Sequence, residues 1–111
     1  MRKHGKSDAN QAVIVKALRQ AGCSVLVMSG QGRGAPDIAV GRTDSMRYWK
    51  TKEPYRFNYF LEIKTRIGLR NPKVAPLTPD EEKWHRAWRG QVAIVSTVQE
   101  AFEAVGLEVA K

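Results

Sequence analysis

The pattern of hydrophobic and polar positions predicts alternating helices and strands. A first helix is predicted over 8–21, where apolar residues recur at helical spacing and Gly22 follows as a stop. Apolar runs with strand character follow at 23–28, 36–40, 58–65 and 92–95. Two further helices are predicted to open at Thr78 and Thr97 and to end near Gly90 and Gly106. The predicted order is α-β-β-β-α-β-α.

The helix that opens at Thr78 decides how the last two strands pair. Thr78, Pro79 and Glu81 match an N-cap, a first helical position and the acidic partner of a capping box. A helix between two strands is a crossover, so the third and fourth strands are expected to be parallel, whereas the first three can form a meander. We therefore predict an α/β fold with a mixed four-stranded sheet flanked by helices.

The 111 residues fit one domain, 1–111, with two less regular parts. Residues 1–7 are interpreted as a loose basic tail, and 41–57 as a basic and aromatic insertion, either a hairpin or a mobile loop. The lone cysteine, Cys23, excludes an internal disulfide and is expected to be buried and reduced. With neither a secretory signal nor an apolar run of membrane-spanning length, a cytoplasmic protein without membrane contact is predicted.

The net charge of +8, from 19 Lys and Arg against 11 Asp and Glu, is concentrated in the middle of the chain. Residues 42–76 hold nine of the basic residues and three of the acidic ones. A basic region of this kind favours a polyanionic partner, and nucleic acid is the obvious one. The alternative is a basic domain whose charge only keeps it soluble.

Three ionisable residues form a candidate site. Glu62 and Lys64 lie two apart on a predicted strand, so they share one face, while Ile63 points to the other. Asp37 begins the neighbouring predicted strand, and pairing of the two strands would bring its carboxylate towards Glu62. Hard oxygen ligands suit Mg²⁺ or Mn²⁺, and Lys64 can orient a water or neutralise phosphate charge. The alternative is a solvated Glu/Lys pair beside an unrelated turn.

These residues carry a resemblance to a known family. The segment 34–38 (Gly-Ala-Pro-Asp-Ile), followed by 60–65 (Phe-Leu-Glu-Ile-Lys-Thr), resembles the signature of the PD-(D/E)xK nuclease superfamily. The predicted α-β-β-β-α-β order is similar to its restriction-endonuclease-like core. The chain most resembles small members: viral replication-and-repair (VRR-NUC) nucleases, archaeal Holliday-junction resolvases and related phage proteins. The segment 77–81 is also similar to their Leu-Thr-x-x-Gln motif. The resemblance covers roughly residues 8–105.

The resemblance implies a function and a role for each site residue. Asp37, Glu62 and the main-chain carbonyl of Ile63 would hold Mg²⁺ or Mn²⁺, and Lys64 would be the catalytic lysine. The implied activity is metal-dependent hydrolysis of phosphodiester bonds in DNA, structure-selective for branched or junction DNA, in recombination, repair or phage replication. A homodimer is expected, because a two-fold substrate calls for two sites.

The first helix departs from the family pattern. Relatives often place an acidic residue there that faces the site, whereas the aligned positions are the neutral Asn10 and Gln11, with Asp8 as a substitute about a turn earlier. Glu81 stands where many relatives have Gln, and we interpret it as the capping-box acid rather than a ligand of a second cation. Asn10 and Gln11 are therefore assigned only a supporting role.

The DNA-contacting residues are expected in the loops. The glycine-rich loop 29–35 lacks the Lys-Ser/Thr ending of a phosphate-binding loop, so no nucleotide cofactor is predicted. Its glycines are interpreted as letting the backbone pass close to DNA or as allowing the bend before Pro36, with an ordinary flexible turn as the alternative. The basic residues of the loops are assigned to phosphate contact: Arg33, Arg42, Arg66, Arg70 and Lys73. Aromatic residues among the basic residues of 41–57 suit single-stranded or distorted nucleic acid, or else a surface hairpin.

The remaining aromatic and imidazole side chains receive ordinary interpretations. Trp84 and Trp88 are expected in the core or at a dimer contact rather than stacked on bases. His85 is expected at the surface or bonded to a structural partner, with a supporting role near the site as the alternative. Two other functions stay open: a non-catalytic DNA-binding module, which the neutral Asn10 and Gln11 favour, and a subunit of a larger DNA-processing assembly whose aromatic loop docks on a protein.

Overall fold

The computed structural model describes residues 6–44, 54–67, 70 and 73–107, and the side chains from residue 9 onwards within these ranges. Residues 1–5 of the predicted tail and 45–53 of the predicted insertion lie outside the described residues. The first helix begins at Lys6, two residues earlier than predicted.

Three helices and six strands make up the described part of the chain. The helices are α1 (Lys6–Gln20), α2 (Pro79–Ala87) and α3 (Val98–Ala104). The strands are β1 (Ser24–Val27), β2 (Ile38–Asp44), β3 (Tyr55–Ile63), β4 (Arg66–Ile67), β5 (Lys73–Val74) and β6 (Val92–Val95). No helix among the described residues has the length and apolar character needed to cross a membrane.

Four of the strands form a mixed sheet in the order β1-β2-β3-β6. The first three are antiparallel neighbours, and β3 runs parallel to β6, with α2 in the connection between them. The predicted meander and the predicted crossover are therefore both confirmed, as is the α/β class with a mixed four-stranded sheet.

The strand bounds differ from the prediction where pairing recruits polar residues. Strands β2 and β3 stay paired out to Asp44 and Tyr55, so both ends of the predicted insertion are arms of a hairpin. At the other end β2 begins after Asp37, and β3 ends before Lys64. The basic loop 66–76 contains the small antiparallel pair β4–β5, which was not predicted. Two-residue strands are too short to show a hydrophobic period.

The hydrophobic core lies on one face of the sheet, beneath α1 and α3. These two helices pack against each other, and their apolar side chains meet those of alternate strand residues. The largest fully buried side chains include Ile14, Leu18, Ile38, Leu61 and Val105. Helix α2 lies over the opposite face and has no buried residue of its own. The two faces of the sheet are thus built very differently.

Helix α2 begins as the sequence predicted. Thr78 Oγ1 accepts a hydrogen bond from Glu81 N–H, and Glu81 Oε1 accepts one from Thr78 N–H, which completes the capping box. Thr97 and Glu100 have the same capping-box spacing at the start of α3, but the box there is only half formed. Thr97 Oγ1 accepts from Glu100 N–H, but the Glu100 carboxylate accepts from Ser96 N–H instead of Thr97.

Candidate active site

Asp37 and Glu62 lie next to each other because β2 and β3 are paired. Ile38 is opposite Leu61, and continuing this register by one residue sets Asp37 opposite Glu62. Asp37 N–H donates to the Leu61 carbonyl at 3.1 Å, and Asp37 Oδ2 accepts from Ile63 N–H at 2.7 Å. These bonds hold the Asp37 carboxylate at the end of β3, where the sequence placed it.

Glu62 is the most buried charged residue in the described part of the chain, with 2% of its surface exposed. Burial and, after it, the adjacent Asp37 carboxylate together raise the pKa of Glu62 to about 9, although the Lys64 ammonium acts in the opposite direction. Glu62 Oε1 is buried without a hydrogen-bond partner among the described residues. A carboxylate in this position calls for a positive partner.

Lys64 follows directly after β3 and keeps the strand period, so its side chain returns to the face of Glu62. Its Nζ lies 3.9 Å from Glu62 Oε2 and donates to Glu81 Oε1 at 2.7 Å. Lys64 N–H donates to the Val95 carbonyl at 2.9 Å, which extends the pairing with β6 past the strand end. The ammonium therefore sits between the buried acid and the start of α2.

Glu81 has two partners on two elements. Its Oε1 completes the cap of α2 and accepts from Lys64 as well. Burial alone would raise the pKa of Glu81, but the hydrogen bonds from Lys64 and from Thr78 N–H outweigh it and lower the pKa. The cap interpretation holds, and the ion pair with Lys64 is an addition that the sequence did not show.

The glycine-rich loop supports α2 at its first turn. A Cβ on Gly34 would lie 2.2 Å from the Asp80 carbonyl oxygen, and Gly34 has φ +82°, so this position needs glycine on both grounds. The sequence interpretation assigned the glycines to DNA approach or to the bend before Pro36. The structure shows a third use, which is close packing of the loop against the helix start.

His85 is a neighbour of the site, a place that the sequence indicated only as an alternative. Its Nε2 lies 3.8 Å from Glu62 Oε1, and both atoms are buried without a hydrogen-bond partner among the described residues. Burial lowers the pKa of His85, which favours the neutral imidazole. A signal existed: Glu81, His85 and Trp88 recur at i, i+4 and i+7, so one stripe of α2 carries them towards β3.

Asn10 and Gln11 sit near the site in different ways. Asn10 Nδ2 donates to the Ser96 carbonyl at 2.9 Å and, more weakly, to the Lys64 carbonyl at 3.4 Å. It thus ties α1 to the backbone of Lys64. Gln11 Nε2 lies 3.4 Å from Ser29 Oγ in the glycine-rich loop. The substitute acid, Asp8, has its side chain outside the described residues.

The five residues assigned to phosphate contact divide into two groups. Arg42 Nε donates to the Val105 carbonyl at 2.6 Å and its guanidinium lies over the Phe57 ring, so it joins β2 to the end of α3. Arg66 forms an ion pair with Glu100. Both have structural partners that their sequence spacing did not reveal. Arg33, Arg70 and Lys73 are exposed, and DNA contact stays a prediction for all five.

A metal ion would need ligands beyond carboxylate side chains at this site. Among the described residues, no group of three or more His, Cys, Asp or Glu side chains is placed to hold one. The set implied by the family resemblance has only two carboxylates and one main-chain carbonyl, so it does not require such a group. The buried Glu62 carboxyl group beside Asp37 fits a cation that keeps several waters and binds through few protein oxygens.

Comparison with protein-family models, with curated proteins and with solved structures finds no match to this chain. No family is therefore assigned on similarity. The chemistry of the site is inferred from its own residues: two adjacent carboxylates, one of them deeply buried, with a lysine ammonium and an imidazole on the same side of the sheet.

Proposed function

We propose that this protein is a Mg²⁺- or Mn²⁺-dependent endonuclease that hydrolyses phosphodiester bonds in DNA, with a restriction-endonuclease-like fold and the site Asp37, Glu62 and Lys64. The observation that carries the proposal is the neighbourhood of Glu62. A carboxyl group that is 2% exposed, lies beside a second carboxylate and has an oxygen without a hydrogen-bond partner is expensive to maintain in a purely structural role.

Asp37, Glu62 and the Ile63 carbonyl would hold the cation. When bound, a divalent cation supplies a Lewis acid for the phosphoryl oxygen and lowers the pKa of its waters. The chain's own part is to fix the ligands. Asp37 is held by Ile63 N–H, and Glu62 is held on β3 between β2 and β6. Both positions are rigid, as a site needs for reproducible geometry.

Lys64 supplies the positive charge of the site. Its ammonium orients a water towards the phosphorus or neutralises charge that builds up on the phosphate. Glu81 holds Nζ at 2.7 Å and so fixes where this charge lies before substrate binds. Glu81 is a positioning residue, because its effect on the reaction passes through Lys64.

The substrate and the assembly follow from the same proposal. The net charge of +8 suits a polyanion, and the resemblance in the motif segments favours branched or junction DNA, processed in recombination, repair or phage replication by a homodimer. The proposed setting is the cytoplasm, where the buried thiol of Cys23 would stay reduced.

A non-catalytic DNA-binding module is the second candidate, and two observations favour it. Lys64 already forms an ion pair with Glu81. Asn10 donates its side-chain hydrogen bonds to backbone carbonyls, so this position brings no acid to the site. Such a module would bind DNA in a salt-sensitive way and would not cut it with either metal.

Cleavage of labelled duplex, flap, fork and four-way-junction DNA with Mg²⁺ or Mn²⁺ tests the proposal. We expect cutting by the wild type and a loss of at least about 100-fold in Asp37→Asn and in Lys64→Ala. Asp80→Asn and Lys16→Ala are matched controls, because both residues are exposed and lie outside the site. Equal cutting by all five proteins would contradict the assigned residues, and binding without cutting would favour the module.

A further inference from the structure

The face of β3 that carries Glu62 continues away from the site as an aromatic surface. Alternate residues of β3 share a face, so Asn58 and Phe60 lie in line with Glu62. Phe60 is two residues from Glu62, about 7 Å along the strand. The surface therefore lies within reach of a nucleotide next to a phosphate placed at the carboxylates.

Helix α2 places two tryptophans on Phe60. The Trp84 and Trp88 rings are stacked, with centroids 4.8 Å apart and an interplanar angle of 14°. Phe60 meets both rings edge-on, at 5.6 Å and 4.9 Å. The inner tryptophan and the phenylalanine fix the outer one, yet Trp88 remains 41% exposed. A rigid indole presented to solvent is unusual, because tryptophan is among the most buried residues on average.

Gly90 leaves room for this arrangement. A Cβ at Gly90 would lie 2.8 Å from Trp88 Nε1, so the indole lies against the chain where only glycine leaves space. Beside the ring is a surface cavity of about 360 Å³, lined in part by Arg56, Asn58 and Gln91. The cavity thus combines an aromatic wall with amide groups that can donate to and accept from a base.

Charge decides which occupant the cavity favours. Arg56 lines it, and Arg86 and Arg89 flank Trp88 on the sequence and are exposed. None of the described residues that line the cavity is acidic. An exposed aromatic ring among arginines complements a nucleobase joined to phosphates, since the base stacks and the phosphates pair. A neutral protein surface would offer these arginines no charged partner.

We propose that Trp88 and Arg56 form a subsite for an unpaired nucleotide of the substrate strand, in which the base stacks on the Trp88 indole. Bases in an intact duplex are stacked on each other and cannot use it, so the subsite favours DNA with a single-stranded part next to the cleaved bond. This inference deepens the proposed function, on which it rests for the assignment of DNA as ligand. It makes a flap, a fork or a gapped junction the preferred class over blunt duplex.

Binding measured without metal tests the subsite apart from cleavage. The probes are a fluorescein-labelled oligothymidylate of about ten nucleotides and a blunt duplex of the same length, followed by anisotropy in EDTA. We expect Trp88→Leu to weaken oligothymidylate binding about tenfold and duplex binding less than about twofold. Trp88→Phe keeps a π face and should stay within about threefold of the wild type. Leu26→Ala, an exposed apolar residue on β1, is the control.

The arginine has its own test in the same assay. Arg56→Gln should weaken binding of oligothymidylate and lower the slope of log affinity against log salt by about 0.7, the value for one phosphate contact on a single strand. Lys16→Gln removes an exposed charge from α1 and should change this slope by less than Arg56→Gln does. A second probe needs no variant: the wild type should bind an oligonucleotide of abasic residues about tenfold more weakly than oligothymidylate.

Several results would overturn the subsite. Trp88→Leu could leave oligothymidylate binding unchanged, or weaken both probes equally, or lower the molecular mass in sedimentation, which would make Trp88 a dimer contact. The two proposals fail separately. Wild-type protein that cuts DNA while Trp88→Leu binds normally removes the subsite alone, whereas Trp88-dependent binding with no cutting on any substrate removes the nuclease and leaves the subsite.

Discussion

The two faces of the sheet carry different kinds of side chain. On the α1 and α3 face, apolar side chains such as Leu61 are fully buried, and the helices also contact each other. On the α2 face, the strands present Glu62 and Phe60, and α2 meets them through ring contacts and a histidine. Consecutive residues of β3 therefore belong alternately to a hydrophobic core and to a charged, aromatic site.

The two faces therefore contribute differently to the stability of the domain: the core face raises it, and the α2 face lowers it. The core face gains from burial of apolar surface, whereas the α2 face keeps an acid with a raised pKa and buried polar atoms without partners. Polar groups held at such a disadvantage are typical of sites that act on a ligand. Truncation on the core face should therefore lower stability most, whereas replacement of the buried acid on the α2 face should raise it.

The largest effect on folding is expected from the core face. Leu61→Ala should lower the free energy of unfolding by about 3 kcal/mol, because Leu61 is 0% exposed and the cavity left behind cannot fill. Ile94→Ala is the matched change on the other face, since Ile94 pairs with Glu62 and is 42% exposed. We expect less than about 1 kcal/mol there. Urea unfolding of both variants makes the comparison, and equal losses would contradict it.

Gly34→Ala should lower the free energy of unfolding by about 2 kcal/mol. The new Cβ meets the Asp80 carbonyl oxygen, so the loop or the first turn of α2 must move. Because that turn carries Glu81, which holds Lys64, DNA cleavage should fall as well. Gly32→Ala is the control: Gly32 also has a positive φ, but its Cβ would have open space. A larger loss of cleavage in Gly32→Ala would contradict this account.

Glu62→Gln should stabilise the protein while it abolishes cleavage. The pKa of Glu62 is raised from its ordinary 4.5 to about 9, so the folded state holds a proton that the unfolded chain releases over this range. Wild-type stability therefore falls as pH rises from about 4.5 to 9, and the glutamine variant escapes this loss. With a chelator present, we expect a gain of about 1–2 kcal/mol at pH 8. If Glu62→Gln were less stable than the wild type, by an amount that grew with pH, the upward direction of the Glu62 pKa shift would be contradicted.

The smallest effect compares equivalent caps on the two faces. Thr78→Ala and Thr97→Ala each remove a side-chain cap and should each cost about 1 kcal/mol. Their effects on cleavage should differ, because Thr78 caps the helix that holds Lys64 through Glu81, whereas α3 packs on the core face. Cleavage by Thr97→Ala at the wild-type rate, beside a reduced rate for Thr78→Ala, is the expected result. Equal reductions would show that only stability matters.

Local signals were enough to predict the framework of the site. The Thr78 capping box predicted α2, α2 predicted the parallel pair β3–β6, and the strand period predicted that Lys64 returns to the face of Glu62. These inferences work because each rests on neighbouring residues or on a general rule of chain connection.

Contacts between residues far apart in the sequence were beyond the same reasoning. Arg42 is predicted to contact phosphate from a loop, yet its side chain donates to the Val105 carbonyl, 63 residues away. His85 is compatible with the surface, a structural partner or the site, and the packing of α2 on β3 places it beside Glu62. Asn10 stands where the resembled family often has an acidic residue, whereas in the fold its side chain donates a hydrogen bond to the Ser96 carbonyl. In each case the tertiary arrangement chooses among partners that the residue type allows equally.

Binding of Mn²⁺ tests the central claim most directly, because it requires no knowledge of the DNA substrate. Titration calorimetry of the wild type, Asp37→Asn and the control Asp80→Asn, up to millimolar metal, separates the site from the surface. The account predicts that the wild type and Asp80→Asn bind Mn²⁺ alike and that Asp37→Asn loses this binding. Equal binding by all three proteins, or no binding by the wild type, would contradict it.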